Sequence, residues 1–208
     1  MVWYKTPVNT INDLKTHEIT VGSSGANSTP SFYARLINAT LGTKIKIIVG
    51  YPGQTEAFLA IERGEIDGYP SLFYNTLTAT KPTWLKEKKL KLLLQYGLTK
   101  EPEIPDVPSL MDLVTNPDDK ALLQASLAEV TLGRPYLMPP GVPADRVAAM
   151  RKAFIDTLAD PAFLGEAKKM ALGVNAPRNS AQVLQLIAQA YSAPPKVIAR
   201  LKGLMYHD

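Results

Sequence analysis

The feature that most constrains this chain is a pattern that occurs twice near its start. An apolar, β-branched run passes into a turn rich in glycine and hydroxyl groups, and the turn opens a helix. Ile19 to Gly22 reads as a buried strand, Ser31 to Leu41 as a helix with Phe32, Leu36, Ile37 and Leu41 inward, and Ile45 to Val49 as a second strand. Thr55 to Arg63 reads as a helix closed by Gly64, and Ile66 to Tyr69 as a short third strand. Strands and helices alternating across short connections specify right-handed βαβ units. The expected class is α/β.

The two turns are Val21-Gly22-Ser23-Ser24-Gly25-Ala26-Asn27-Ser28-Thr29-Pro30 and Gly50-Tyr51-Pro52-Gly53-Gln54-Thr55-Glu56. Each aims free backbone N–H groups and the positive end of a helix dipole at one place, so an anion is the expected occupant. Neither turn has the phosphate-loop spacing G-x-x-x-x-G-K-[ST] or the dinucleotide spacing G-x-G-x-x-G. With no lysine among the donors, the set suits carboxylate oxygens better than a triphosphate with its magnesium. The expected contacts are the N–H groups of Ser24, Gly25, Ala26, Asn27 and Ser28 and of Gly53, Gln54 and Thr55, supplemented by the hydroxyls of Ser23, Ser28 and Thr55, directly or through ordered water. Taken alone, either turn also fits a plain strand-to-helix connection with Asn27 or Ser28 as N-cap. Two turns one βα unit apart favour a site, because parallel strands bring their carboxyl-end loops side by side.

Further candidates follow the third strand. Asp67, at its end, is a base or a residue that caps the next turn. Tyr69 and Ser71, with Tyr74 and Asn75, line the cleft if Ser71, Tyr74 and Asn75 share one helical face. Beyond them, Leu90 to Tyr96 reads as an apolar strand, Pro102 to Pro108 as an extended turn, Ser109 as the cap of a short helix, and Pro117 to about Glu129 as another helix. After residue 130 the character changes. Thr131 to Met138 reads as a strand, followed by helices over Pro143–Leu158, Pro161–Leu172, Ser180–Ser192 and Pro194–Leu204. The organisation expected is a ligand-binding lobe over 1–130 and a strand-plus-helix tail over 131–208.

Composition narrows the function classes. With 46% hydrophobic and 20% charged residues, the chain can bury a sizeable core. The net charge of +4 comes from scattered lysines, densest at Lys86-Glu87-Lys88-Lys89-Leu90-Lys91, where no aromatic residue or nucleic-acid motif accompanies them. Nucleic acid is not an expected partner. The chain has no cysteine, which excludes disulfides and thiolate catalysis. Its two histidines, His17 and His207, lie far in sequence from Ser23 and Ser24, and Gly22-Ser23-Ser24-Gly25 lacks the G-x-S-x-G spacing of a nucleophile elbow. No metal motif occurs, so neither catalysis nor a cofactor is expected.

The run from Val21 to Asp67 resembles the second lobe of the solute-binding proteins of tripartite tricarboxylate transporters, the Bug/TctC family. Its markers are Gly50-Tyr51-Pro52-Gly53 and Leu59-Ala60-Ile61-Glu62-Arg63-Gly64-Glu65-Ile66-Asp67-Gly68. Ile104-Pro105-Asp106-Val107-Pro108-Ser109-Leu110, Pro139-Pro140-Gly141-Val142-Pro143 and Asp160-Pro161-Ala162-Phe163 resemble later elements of that family in the same order. The resemblance implies a periplasmic-binding-protein-like lobe, a periplasmic location, a small carboxylate as ligand, a membrane permease as partner, and a role for Asp67 in orienting the ligand loop. Met1-Val2-Trp3-Tyr4-Lys5-Thr6-Pro7 departs from it, having neither a secretory signal nor the first part of lobe one. The tail, which would complete that lobe, is therefore expected to leave apolar faces uncovered and to drive homodimer formation through the C-terminal helices. The competing readings are an effector-sensing domain of the same fold and, from another class, a hydrolase using Ser23 or Ser24.

Overall fold

A computed structural model describes residues 1–206 apart from Arg134, Ala171, Asn175 and Ala176. Strand β2 (Ile19–Gly22) runs parallel to β3 (Ile45–Ile48), with Ile19 opposite Ile45 and Gly22 opposite Ile48. On the other side of β2, Gly68 bridges Val21 in parallel and Val2 in antiparallel fashion, and β1 (Val2–Trp3) then pairs antiparallel with β4 (Leu90–Lys91). The expected third strand is thus reduced to bridges at Gly68. A side chain there has no room, since a Cβ would lie 2.3 Å from the Met1 carbonyl oxygen.

Helix α1 (Thr29–Leu41) connects β2 to β3, and α2 (Gln54–Arg63) follows β3, so the expected βαβ order is present. Gly42 and Gly64 end them in the left-handed conformation, at φ 68° and 75°. Helices α3 (Tyr74–Thr80), α4 (Pro82–Lys86), α5 (Leu110–Leu113) and α6 (Pro117–Leu132) come next. Ser109 caps α5 by accepting from the Met111 amide, as its position implies. Asn116 Oδ1 accepts from the Asp118 and Asp119 amides and so caps α6.

The core divides by sheet face. Val2, Ile19, Val21 and Ile45 pack with Phe32, Tyr33 and Leu36 of α1, Leu122, Leu123 and Leu127 of α6, and Val197. Trp3, the neighbour of Val2 in sequence, points the other way and packs with Ala57, Phe58 and Ile61 of α2, Leu77 and Trp84. Three layers result, helices on either side of a small sheet.

The tail consists of α7 (Ala144–Ala159), α8 (Pro161–Lys169), α9 (Ser180–Tyr191) and α10 (Pro195–Met205), within two or three residues of the expected bounds. Helices α9 and α10 both pack on α6, and α10 also touches α1. Two strand expectations are corrected. Thr131 and Leu132 extend α6 rather than opening a strand, and residues 135–139 form none; Arg134 lies outside the described residues. The strand from Leu90 stops at Lys91. Gln95 instead bridges Ser109, and its amide donates to the Ile104 and Val107 carbonyls, fastening the chain into a turn. Among the described residues no helix is long and apolar enough to cross a membrane.

Candidate functional site

The parallel register of β2 and β3 brings the two glycine-rich turns together, as the sequence implies. Ser23 N donates to the Ile48 carbonyl at 2.9 Å, and Tyr51 N donates to the Ser23 carbonyl at 3.2 Å, lacing the first turn to the second. Gly22 sits in close packing at the crossing. A Cβ there would lie 2.7 Å from Ile66 Cδ1 and 3.1 Å from Ala57 Cβ.

Two hydroxyls of the first turn, those of Ser23 and Ser28, meet that of Ser31 inside it. Ser23 is fully buried, and its Oγ lies 2.6 Å from Ser28 Oγ and 2.7 Å from Ser31 Oγ. The Ser23, Ser28 and Ser31 hydroxyls all lie within hydrogen-bond distance of the Gly25 carbonyl, at 3.2, 2.8 and 2.7 Å. They supply one proton each, shared among the Gly25 carbonyl and the hydroxyl oxygens themselves. The expectation that Ser23 reaches a ligand with its hydroxyl gives way to a shaping role, because that hydroxyl is sealed inside the turn, while Ser28 is only half-buried and shares the same hydrogen bonds. Ser31 is a member that sequence reasoning missed. Its signal is a serine in the first helical turn three residues after Ser28, next to the apolar Phe32.

This inward cluster decides what faces out. A peptide unit is planar and trans, so its C=O and N–H point in opposite directions. With the Gly25 carbonyl held by hydroxyls inside, the Ala26 N–H is directed outward. Among the described residues the amides of Ser24, Gly25 and Ala26 have no hydrogen-bond partner, and Ser24, Ala26 and Asn27 are exposed. In the second turn, Gly53 is extended and the first amide bond inside α2 runs from Ala57 to Gly53. The Gln54, Thr55 and Glu56 amides therefore lie at an uncapped helix start. Glu56 shares that end, with Oε2 3.2 Å from where a Gly53 Cβ would stand. Its negative charge already complements the α2 dipole, which leaves the Ser24–Ala26 amides as the better anion donors.

The remaining candidates lie elsewhere. Asp67 Oδ2 accepts from Thr20 N at 2.7 Å and Thr20 Oγ1 at 2.8 Å, which fastens it to the middle of β2. Tyr69 is buried with its ring edge-on to Phe58. Burial raises its phenol pKa above the ordinary value. Ser71 precedes α3 and reaches the Tyr96 hydroxyl, so only Tyr74 and Asn75 of the expected trio are helical. Tyr69, Tyr74 and Asn75 line a cavity of about 1130 Å³ that opens between the sheet edge and the tail and is faced by Tyr136, Met150 and Phe154. The two turns do not line it. Tyr96, half-buried and stacked on Tyr33 at 4.5 Å, gives its hydroxyl proton to the Pro70 carbonyl. Desolvation drives its pKa well above normal, so it stays a neutral donor.

His17 Nδ1 lies 3.1 Å from Thr16 Oγ1 on the surface, and His207 lies outside the described residues. Ser23 has hydroxyl and carbonyl partners and no base among them. Among the described residues no group of three or more His, Cys, Asp or Glu is placed to hold a metal ion.

No family model matches the chain, and no curated protein matches it in sequence. Solved structures do match. A TctC solute binding protein from Polaromonas superposes with a TM-score of 0.63 at 18% identity, over 98% of this chain and 64% of its own. An R. palustris protein solved with adipate gives 0.58 and 14%, over 98% and 63%, and the periplasmic binding protein BugD gives 0.56 and 17%, over 98% and 64%. The fold is that of periplasmic solute-binding proteins. At these identities the likeness is one of fold, and the chain spans less than two thirds of the length of each of the three.

Proposed function

We propose that this chain is the ligand-binding lobe of a non-enzymatic periplasmic solute-binding protein of the TctC/Bug type, holding a small organic carboxylate for a membrane permease of the tripartite tricarboxylate kind. The observation that carries the reading is the pair of laced turns, whose amides at Ser24, Gly25 and Ala26, the last turned outward, have no partner among the described residues and no lysine among them. Such a donor set suits one carboxylate, with the Gln54 and Thr55 amides at the uncapped start of α2 as further donors on the adjoining turn. Buried Ser23 and Ser31 and half-buried Ser28 hold the turn in shape before the ligand arrives, which reduces the ordering cost of binding. Adipate, the dicarboxylate present in the R. palustris structure, is the natural probe.

The test is a titration followed by amide NMR. Adipate and related mono- and dicarboxylates shift residues 22–28 and 53–56, and ATP or NAD does not. Perturbation of those residues by nucleotides, with none by carboxylates at millimolar levels, overturns the reading. The tail supports a second part of the proposal, self-association. Helices α7 and α9 bury none of their side chains fully, even though α9 packs on α6, and Met150 and Leu184 stay 58% and 60% exposed.

A further inference from the structure

Arg35, on α1, bridges the candidate turn and the end of the chain. Its Nη1 donates to the Ala26 carbonyl at 2.8 Å, its Nε to the Leu204 carbonyl at 2.7 Å and its Nη2 to the Met205 carbonyl at 3.3 Å. The last two acceptors are terminal carbonyls of α10, which have no partner within their own helix and attract a cation. One guanidinium therefore caps α10 and grips the turn at the same time, a geometry that needs the fixed fork of arginine rather than the single ammonium of lysine. Helix α10 is held separately at its other end, where Lys196 pairs with Asp118 at 2.7 Å and Arg200 pairs with Asp119. Val197 is buried between these contacts.

We propose that Arg35 is a positioning residue for the candidate carboxylate site and that docking of α10 sets the shape of the 25–28 turn through it. The physical link is again the planar peptide. Holding the Ala26 carbonyl fixes the direction of the Asn27 N–H, and the inward Gly25 carbonyl fixes that of the Ala26 N–H, so the two peptide planes are clamped from opposite sides. When α10 leaves, Arg35 loses two of its three acceptors, its side chain is freed, and the outer clamp loosens. The inference rests on the proposed function for its second readout only.

The experiment uses the whole chain in a double-mutant cycle. One arm is Arg35→Ala, with Arg35→Lys as the conservative variant. The other is Lys196→Glu combined with Arg200→Glu, which repels Asp118 and Asp119 and undocks α10 without touching the turn. The first readout is hydrogen exchange and NMR linewidth at residues 25–28 with no ligand present. We expect each arm to raise exchange at the Ser28 amide, which donates to the Gly25 carbonyl, by about tenfold, the scale of a lost charged hydrogen bond. We expect the combined variant to raise it no further, and Arg35→Lys to give a partial effect. Additive effects, or charge reversals that leave residues 25–28 unchanged, overturn the inference. The second readout is adipate affinity, expected to fall by about tenfold in parallel. Adipate that binds no variant, the parent included, while the ligand-free coupling persists, overturns the proposed ligand and leaves the coupling standing.

Discussion

At the scale of single residues, two glycines that look alike in sequence differ in what surrounds them. A Cβ on Gly68 would meet the Met1 carbonyl at 2.3 Å, whereas a Cβ on Gly25 meets nothing within 4 Å. Gly68→Ala is expected to destabilise by roughly 2–3 kcal/mol, because the crowding atom is backbone and cannot turn aside. Gly25→Ala should stay within about 0.5 kcal/mol. Thermal melts of both variants check this, and equal melting temperatures would contradict it. Glu56 supplies a second expectation. Removing its charge in Glu56→Gln relieves repulsion of an anion at the neighbouring amides, so adipate should bind roughly two- to fivefold tighter. Isothermal titration at low salt reads the difference, and weaker binding would mean that the carboxylate does not approach α2.

At the scale of elements, a carboxylate adds to the apolar packing of α2 against α4. Glu62 Oε1 accepts from Lys81 Nζ and from Trp84 Nε1, each at 2.9 Å, and the Lys81 ammonium lies 4.7 Å from the centre of the Trp84 ring. The Lys81 hydrogen bond, with help from Trp84, holds the Glu62 pKa below the ordinary value of 4.5. A depressed carboxylate stabilises the fold above its unfolded value, and that contribution is lost as pH falls through the folded value. Glu62→Gln should therefore melt below the parent at neutral pH, and the gap should close as pH drops below 4.5. Parallel melts across that range, together with Trp84 fluorescence, test the sign. A gap that widens in acid would contradict the assignment.

Elements also mark where local sequence stops being sufficient. The bounds of α1 and α2 were legible because each has an apolar face and a glycine in the left-handed conformation at its end. Thr131 to Met138 reads as a strand, yet its first residues continue α6. Leu122, Leu123 and Leu127 already bury that helix in the core, and Thr131 Oγ1 bonds back to the Leu127 carbonyl. Tertiary packing there outweighs local propensity.

At the scale of the whole molecule, apolar surface is unevenly covered. The two core clusters bury residues from Val2 to Leu127, while the tail contributes only Ala167 and Val197 to the buried apolar residues described. Tyr136 and Leu137 are each 85% exposed beside the large cavity. Sequestering such side chains is worth about 1.5–3 kcal/mol apiece, so association through residues beyond 130 is favoured. Light scattering at high concentration should find species heavier than the 22.7 kDa chain. A monodisperse monomer would contradict the expected association.

By itself the sequence determined the α/β class, the order of the βαβ units and the adjacency of two lysine-free turns. These follow from periodicity, glycine placement and the handedness of crossover connections, all of which act over a few residues. Which atoms of those turns face outward was decided only by the tertiary structure. Ser23 and Ser24 are indistinguishable as neighbours in sequence, but one is sealed in a hydroxyl cluster with Ser31 and the other is exposed. The tie from Arg35 to Leu204 spans 169 positions, and no local pattern encodes it. Long-range hydrogen bonds depend on how packed layers bring distant backbone carbonyls into reach, and that is a property of the assembled fold.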